Sequence, residues 1–229
     1  EPEYYVPIIP FALINGISGI GTGFSCNIAP YNPKQIIQYL QSMLKNSPKE
    51  QEEFVPYYEG FKGTIRKIEE QKFLIKGCYE KTDTDKIRIT ELPVGTWTMP
   101  YTTFLETLVD GIVDNKTGKK GTPQLKDFSS ICTEVNVDIE IVFPRGKLEQ
   151  LENTSDTNGI NGVEKLLKLH TTLSTTNMHM FDKDCKLHKY KNVHEILQAF
   201  YEVRLEIYEK RKQYLLNDMR NKLVKLSNR

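Results

Sequence analysis

Four glycines, Gly16, Gly19, Gly21 and Gly23, fall within eight positions and surround Ile20, an apolar side chain with no evident place to be buried. Glycine takes positive φ readily and, having no Cβ, lets the backbone come close to another surface. Three uses compete for such a stretch: a phosphate cradle, a structural turn, and a contact surface for a macromolecule. A cradle needs G-x-G-x-x-G at the start of a helix whose amides hold pyrophosphate, or a P-loop ending in Gly-Lys-Ser/Thr. Here the glycines after Gly16 run G-x-G-x-G, no Lys-Ser/Thr pair follows, and Asn27-Ile28-Ala29-Pro30 breaks the segment before a helix opens. The spacing favours contact with a macromolecule, and the turn stays open as the structural alternative.

Other chemistry is sparse. Cys26, Cys78, Cys132 and Cys185 lie more than fifty residues apart at every step, so there is no C-x-x-C pair for zinc or redox exchange. A reduced, intracellular setting is the simpler reading. His170, His179, His188 and His194 show no i, i+4 pair of the helical zinc type. No metal site is expected.

Composition permits a substantial core: 229 residues, 38% apolar and 27% charged. No apolar run approaches the roughly 18 residues of a membrane span, and the N-terminus lacks a signal-peptide pattern, so no membrane partner is expected. The first residues, Glu1-Pro2, suggest a piece of a longer protein. Net charge is +1, but residues 183–229 carry +6 and residues 1–182 carry −5, so affinity for nucleic acid must come from patches.

The elements that would position these residues are partly legible. Tyr4–Pro10 reads as extended because of its prolines. A helix should open at Asn32 as N-cap with Pro33 in its first turn, presenting Ile36, Ile37, Leu40, Met43 and Leu44 on one face. Strands are predicted at Phe61–Ile68, Lys72–Tyr79 and Lys86–Leu92, forming a meander, and at Thr133–Phe143, which alternates cleanly. A short helix is predicted around Tyr101–Val109, with soft loops at Asp114–Thr122 and Asn153–Gly162, the second mobile. Val193 to Leu226 has no Pro or Gly and a near-heptad apolar pattern, which predicts one long helix of coiled-coil type. The fold class is α+β: a mixed, mainly antiparallel sheet with flanking helices, followed by that helix.

On these residues the chain resembles type IIA DNA topoisomerases of the eukaryotic topoisomerase II form. The resemblance rests on Glu1–Pro10, Ile14-Asn15-Gly16, Gly19-Ile20-Gly21-Thr22-Gly23, Phe61-Lys62-Gly63-Thr64-Ile65, Glu91-Leu92-Pro93-Val94 and Thr96-Trp97-Thr98. It continues through Lys168-Leu169, Phe181-Asp182, Ile196-Leu197 and Phe200-Tyr201, all in family order and spacing. It implies a tail of the winged-helix domain over 1–12, the tower over 13–191 and the start of the coiled-coil arm over 192–229. It also implies an enzyme that uses ATP and Mg2+ to cut a gate duplex, pass a second duplex through and reseal the break, as a homodimer on double-stranded DNA. The family's nucleophilic tyrosine, acidic metal site and ATPase module would lie outside this chain. Tyr4 and Tyr5 follow the nucleophile's motif and have no preceding arginine, so no catalytic residue is expected here.

What the resemblance assigns to this chain is the gate DNA. The isoleucine matching Ile20 inserts between base pairs, as apolar wedges do, and the tryptophan matching Trp97 contacts DNA; without the resemblance, a single Trp after Glu-Leu-Pro reads as a packing residue. The stretch Lys168, Leu169, His170, Thr171, Thr172, Leu173, Ser174, Thr175, Thr176 and Asn177 matches a segment lying along DNA. Its hydroxyls, amide and cation suit phosphate and sugar, although an ordinary Thr-rich strand has the same composition. Lys62, Arg66 and Lys67 read as a solvated strand face. Ser18 and Phe24 depart from the family, which often has an acidic residue and a Trp-type aromatic there. Abundant Lys, Asn and Ile suggest an AT-rich genome of a protist or virus: a nuclear enzyme if cellular, one of the host cytoplasm or virion if viral. A non-enzymatic DNA-binding scaffold dimerising through its C-terminal helix is the alternative.

Overall fold

The computed structural model describes residues 5–46, 53–111 and 121–228. The contacts divide the chain into two compact units, Glu1–Tyr58 with Thr175–Arg229, and Glu59–Ser174.

The first unit opens with α1 (Phe11–Asn15) and a hairpin of β1 (Ile17–Gly21) and β2 (Phe24–Ile28). Gly16 turns the chain between them at φ 72, where a Cβ would lie 2.9 Å from the Ile28 carbonyl oxygen, so only glycine fits. α2 (Pro33–Leu44) starts where its sequence predicts: the Asn32 side chain accepts from the Lys34 amide at 2.9 Å and proline occupies the first turn. After the second unit the chain returns through the hairpin of β10 (Met178–Phe181) and β11 (Leu187–Tyr190) and ends in the 35-residue α6 (Val193–Ser227), as its unbroken apolar periodicity requires. The core gathers Leu13, Ile28, Tyr31, Ile36, Tyr39, Phe54, Ile196 and Leu197. Only the first turns of α6 join it; Leu215, Met219, Leu223 and Leu226 stand exposed.

The second unit holds two antiparallel sheets. β3 (Thr64–Glu69), β4 (Lys72–Lys76) and β9 (His170–Ser174) form one, with β4 central. β5 (Cys78–Asp83), β6 (Lys86–Glu91), β8 (Ile139–Val142) and β7 (Asp127–Ser130) form the other, in the order β5-β6-β8-β7. Ile87, Ile89, Ile139 and Ile141 from the four-stranded sheet meet Leu105 and Leu108 of α3 (Thr98–Asp110), Leu148 of α4 (Lys147–Glu152) and Val163 of α5 (Gly162–Leu166). Each such fully buried side chain contributes about 1.5–3 kcal/mol.

Three expectations need correction. The run Lys72–Tyr79 is not one strand of a meander: it breaks at Gly77, where a Cβ would meet the Glu91 carbonyl oxygen at 2.3 Å, and its halves join different sheets. The alternating run Thr133–Phe143 is strand only from Ile139. Ahead of it, Thr133 and Asn136 close a turn on themselves, Ile131 donates to the Asp138 carbonyl at 2.8 Å, and Val135 is 85% exposed, so residues 131–138 are the loop joining β7 to β8. The loop Asn153–Gly162, expected to be mobile, is tied by a Ser155–Asn161 bridge, an Asp156–Lys165 ion pair at 2.9 Å and the Asn161–Glu164 capping box. Most of the expected loop Asp114–Thr122 lies outside the described residues.

Candidate nucleic-acid interface

The glycine-rich stretch is the β1–β2 hairpin, closed by Thr22-Gly23 with Gly23 at φ 74. Positive φ is confined to Gly16 and Gly23; Gly19 and Gly21 are ordinary strand residues. A Cβ on Gly19 would meet nothing within 4 Å and one on Gly21 only the Phe24 carbonyl oxygen at 3.8 Å, so the strand on either side of Ile20 is uncrowded. Ile20 is 91% exposed, the highest value among the exposed large apolar residues of the described chain. At this exposure the side chain buries almost nothing in the fold of the described residues.

Hydrogen-bond geometry gives the hairpin an inside and an outside. The Asn27 amide donates to the Asn177 carbonyl at 2.9 Å, so Asn27 points its polar backbone away from β1. Its partner across the ladder, Ser18, therefore faces outward, and Ile20, two residues on, does the same. β1 thus presents an open edge with the amides of Ser18 and Ile20. β2 is held against the start of β10: Cys26 Sγ donates to the His179 carbonyl at 2.9 Å, Asn177 Nδ2 donates to Ser25 Oγ at 2.6 Å, and the Phe24 and His179 rings meet edge-on at 5.3 Å.

In the second unit, Trp97 occupies the N-cap position of α3 and is 78% exposed, next to Met99 at 79%. One turn later Tyr101 is buried, and its hydroxyl donates to the Leu167 carbonyl at 2.7 Å. Burial pushes this phenol's pKa well above the usual tyrosine range, because the charged form would lose its water. Tyr101 thereby fixes the corner from which the Thr-rich strand departs.

That corner is a Schellman motif: Leu169 N donates to Glu164 O at 2.9 Å and Lys168 N to Lys165 O at 3.3 Å, with Lys168 left-handed at φ 50. The turn sends the side chain of Leu169 into the core, fully buried, and puts Lys168 Nζ 4.2 Å above the Phe104 ring. Within the strand that follows, Thr172 and Ser174 are exposed and His170, Thr171 and Leu173 half-buried, with the His170 ring against the Glu164 carbonyl at 3.2 Å. β9 is an edge strand of its sheet. Thr175 is 6% exposed, Thr176 lies at the surface and Asn177 is half-buried. Of the ten consecutive residues expected along DNA, Leu169 and Thr175 have their side chains in the interior and support their neighbours.

Residues that no local pattern singled out also build the site. Ser25, Cys26 and His179 become relevant only once the hairpin is paired and set against β10. Among the described residues no group of three or more His, Cys, Asp or Glu side chains could hold a metal ion, and no helix is long and apolar enough to cross a membrane.

Comparison with known proteins agrees along the whole chain. The family model for the A-subunit of DNA gyrase/topoisomerase IV matches residues 1–229. DNA topoisomerase 2 of Bombyx mori is 40% identical over 233 residues, and that of Pisum sativum 38% over 233 residues; each covers 100% of this chain. DNA topoisomerase 2 of Acanthamoeba polyphaga mimivirus is 33% identical over 97% of the chain. The chain spans only 14%, 15% and 21% of these three relatives. A crystal structure of the Plasmodium falciparum topoisomerase II DNA-binding, cleavage and re-ligation domain superposes with a TM-score of 0.83 at 37% identity, over 95% of this chain and 28% of that one. By sequence along its full length and by fold, this chain belongs to the family of the DNA gyrase/topoisomerase IV A-subunit, with eukaryotic and viral DNA topoisomerases 2 among its relatives.

Proposed function

We propose that this chain is the gate-DNA binding and bending part of an ATP-dependent type II DNA topoisomerase that cuts one duplex, passes a second through the break and reseals it. The observation that carries the reading is Ile20, a wedge-sized aliphatic group 91% exposed at the end of a hairpin flanked by glycine. Insertion between base pairs would exchange a few kcal/mol of unstacking for a bent duplex that touches more protein. Trp97, Lys168, His170, Thr171, Thr172, Leu173, Ser174 and Thr176 complete the proposed contact set, with Leu169 and Thr175 contributing backbone only, while Asn177 braces the hairpin that carries Ile20. Hydroxyls, a cation and backbone amides hold phosphate and sugar without reading sequence, which suits an enzyme that must act on any duplex.

Residues 1–12 are assigned to the tail of the winged-helix domain, 13–191 to the tower and 192–229 to the start of a coiled-coil arm in a homodimer. The exposed apolar side chains along α6 support the last assignment. The nucleophilic tyrosine, the Mg2+ site and the ATP site are assigned to parts of the protein outside this chain, whose own work is to hold and deform DNA. A nuclear location fits a cellular source, and the host cytoplasm or virion a viral one.

The test is duplex binding by the full-length protein, with bending read by energy transfer between labels at the duplex ends. Unrelated sequences should bind within a few-fold of one another, with affinity falling steeply as salt rises and end-to-end distance shortening on binding. Binding that is indifferent to salt, or that leaves the duplex straight, overturns the proposal.

A further inference from the structure

We infer that Asn177 is a positioning residue that pins β2 of the hairpin against the start of β10 and thereby aims Ile20; the inference rests on the wedge reading of Ile20. A two-stranded ribbon is marginal on its own. If the ribbon tilted about its base, Ile20 would point away from where it now stands. Side-chain packing cannot prevent this, because all five residues of β1 are exposed. The restraint must come through β2.

Asn177 supplies it at two atoms. Its carbonyl accepts from the Asn27 amide at 2.9 Å, and its Nδ2 donates to Ser25 Oγ at 2.6 Å. Ser25 is the residue directly opposite Ile20 in the ladder, and Asn27 is opposite Ser18. Cross-strand neighbours share a face, with Cβ atoms about 4.5–5.5 Å apart. One asparagine thus holds the wedge's cross-strand partner by its side chain and the adjacent outward-facing pair by its backbone. A shift of β2 against β10 would break both bonds at once. Asn177 therefore acts on DNA through Ser25 and Ile20.

The experiment compares Asn177→Ala, Ser25→Ala, their double variant, Ser25→Thr and Ile20→Ala in the full-length protein, measuring duplex bending by energy transfer, affinity by anisotropy and its salt dependence. Asn177→Ala and Ser25→Ala should each lower the bent-to-straight ratio about 2- to 10-fold, the net range for one hydrogen bond. The double variant should lose no more than either single one, and Ser25→Thr, which keeps the hydroxyl, should retain bending. Affinity should change less than about twofold with an unaltered salt slope, since no phosphate contact is removed. If Asn177→Ala shrinks the salt slope by about one while Ser25→Ala is silent, Asn177 binds phosphate directly and the inference is overturned. Additive losses overturn it too. If Ile20→Ala abolishes bending but both others bend normally, only the positioning role fails; if Ile20→Ala bends normally, the wedge reading itself fails. Ser25 is exposed, so its variants carry the test even where Asn177→Ala folds poorly.

Discussion

Truncating Ile20 separates a wedge from a folding residue, because the two roles predict opposite patterns. Ile20 is 91% exposed, so Ile20→Ala removes almost no intramolecular contact, and stability should stay within about 0.5 kcal/mol, a melting shift of no more than about 2 °C. In the bent complex the same change withdraws three carbons from the base stack. At about 0.8 kcal/mol per buried carbon, the bent state should lose about 2.4 kcal/mol relative to the straight one, roughly 60-fold in their ratio. Ile20→Val, which removes one carbon, should lose about 0.8 kcal/mol, roughly fourfold. Overall affinity should fall less than bending does, because phosphate contacts remain in the straight complex. Energy transfer on an end-labelled duplex, read with calorimetric melting of the same variants, gives both numbers. A bent fraction that does not grade from Ile through Val to Ala, or an Ala variant destabilised by more than about 1 kcal/mol, would refute the reasoning.

Other perturbations test the supports. Lys168→Gly relieves a left-handed non-glycine worth about 1 kcal/mol and loses a cation–π contact worth about 0.5–1 kcal/mol, so melting should hardly move; duplex affinity should fall and its salt slope shrink by about one. Glu164→Gln removes the charge facing Lys76 Nζ, which lies 2.7 Å away in a pair whose side chains are only 12% and 16% exposed. Chemical unfolding should show a loss of about 2–3 kcal/mol, below the figure for full burial because some solvent reaches it. Gly77→Ala sets a methyl carbon 2.3 Å from the Glu91 carbonyl oxygen and should cost about 1–3 kcal/mol by the same assay; an unchanged midpoint would remove Gly77 as the reason the strand breaks there. Burial raises the phenol pKa values of both Tyr31 and Tyr101, with Tyr58 adding to the effect at Tyr31. A raised folded pKa contributes stability that is whole below the unfolded value near 10 and is lost as pH rises beyond it. Unfolding free energy should therefore decline above about pH 10. Tyr101→Phe should cost about 1–2 kcal/mol at neutral pH, through the unpaired Leu167 carbonyl, and flatten that decline.

The elements that sequence makes legible are those whose cause is local. α6 follows from a long stretch without Pro or Gly, and the start of α2 from Asn32 and Pro33. Strand character at Thr64–Glu69, Lys72–Lys76 and Lys86–Glu91 follows from composition. Pairing is not legible, because the break at Gly77 is caused by the Glu91 backbone passing close by. The alternation over residues 133–138 misleads because period two says nothing about whether a partner strand is present; the ladder ends at Ser130 opposite Ile139. The Schellman turn is hidden because lysine, not glycine, takes its left-handed position.

For the candidate site the division is similar. Residue types and spacing alone identified a glycine-flanked isoleucine and disfavoured a phosphate cradle, because those signals lie within eight residues of one another, whereas Trp97 and the Thr-rich stretch were marked only by the family resemblance. Which of those side chains reach the surface was decided by packing: the turn at Lys168 buries Leu169 and leaves Thr172 exposed. Tertiary structure alone brought Asn177 to Ser25 across 152 positions of chain. A hydrogen bond between residues so far apart leaves no periodic trace in the sequence, since its geometry depends on every element folded between them.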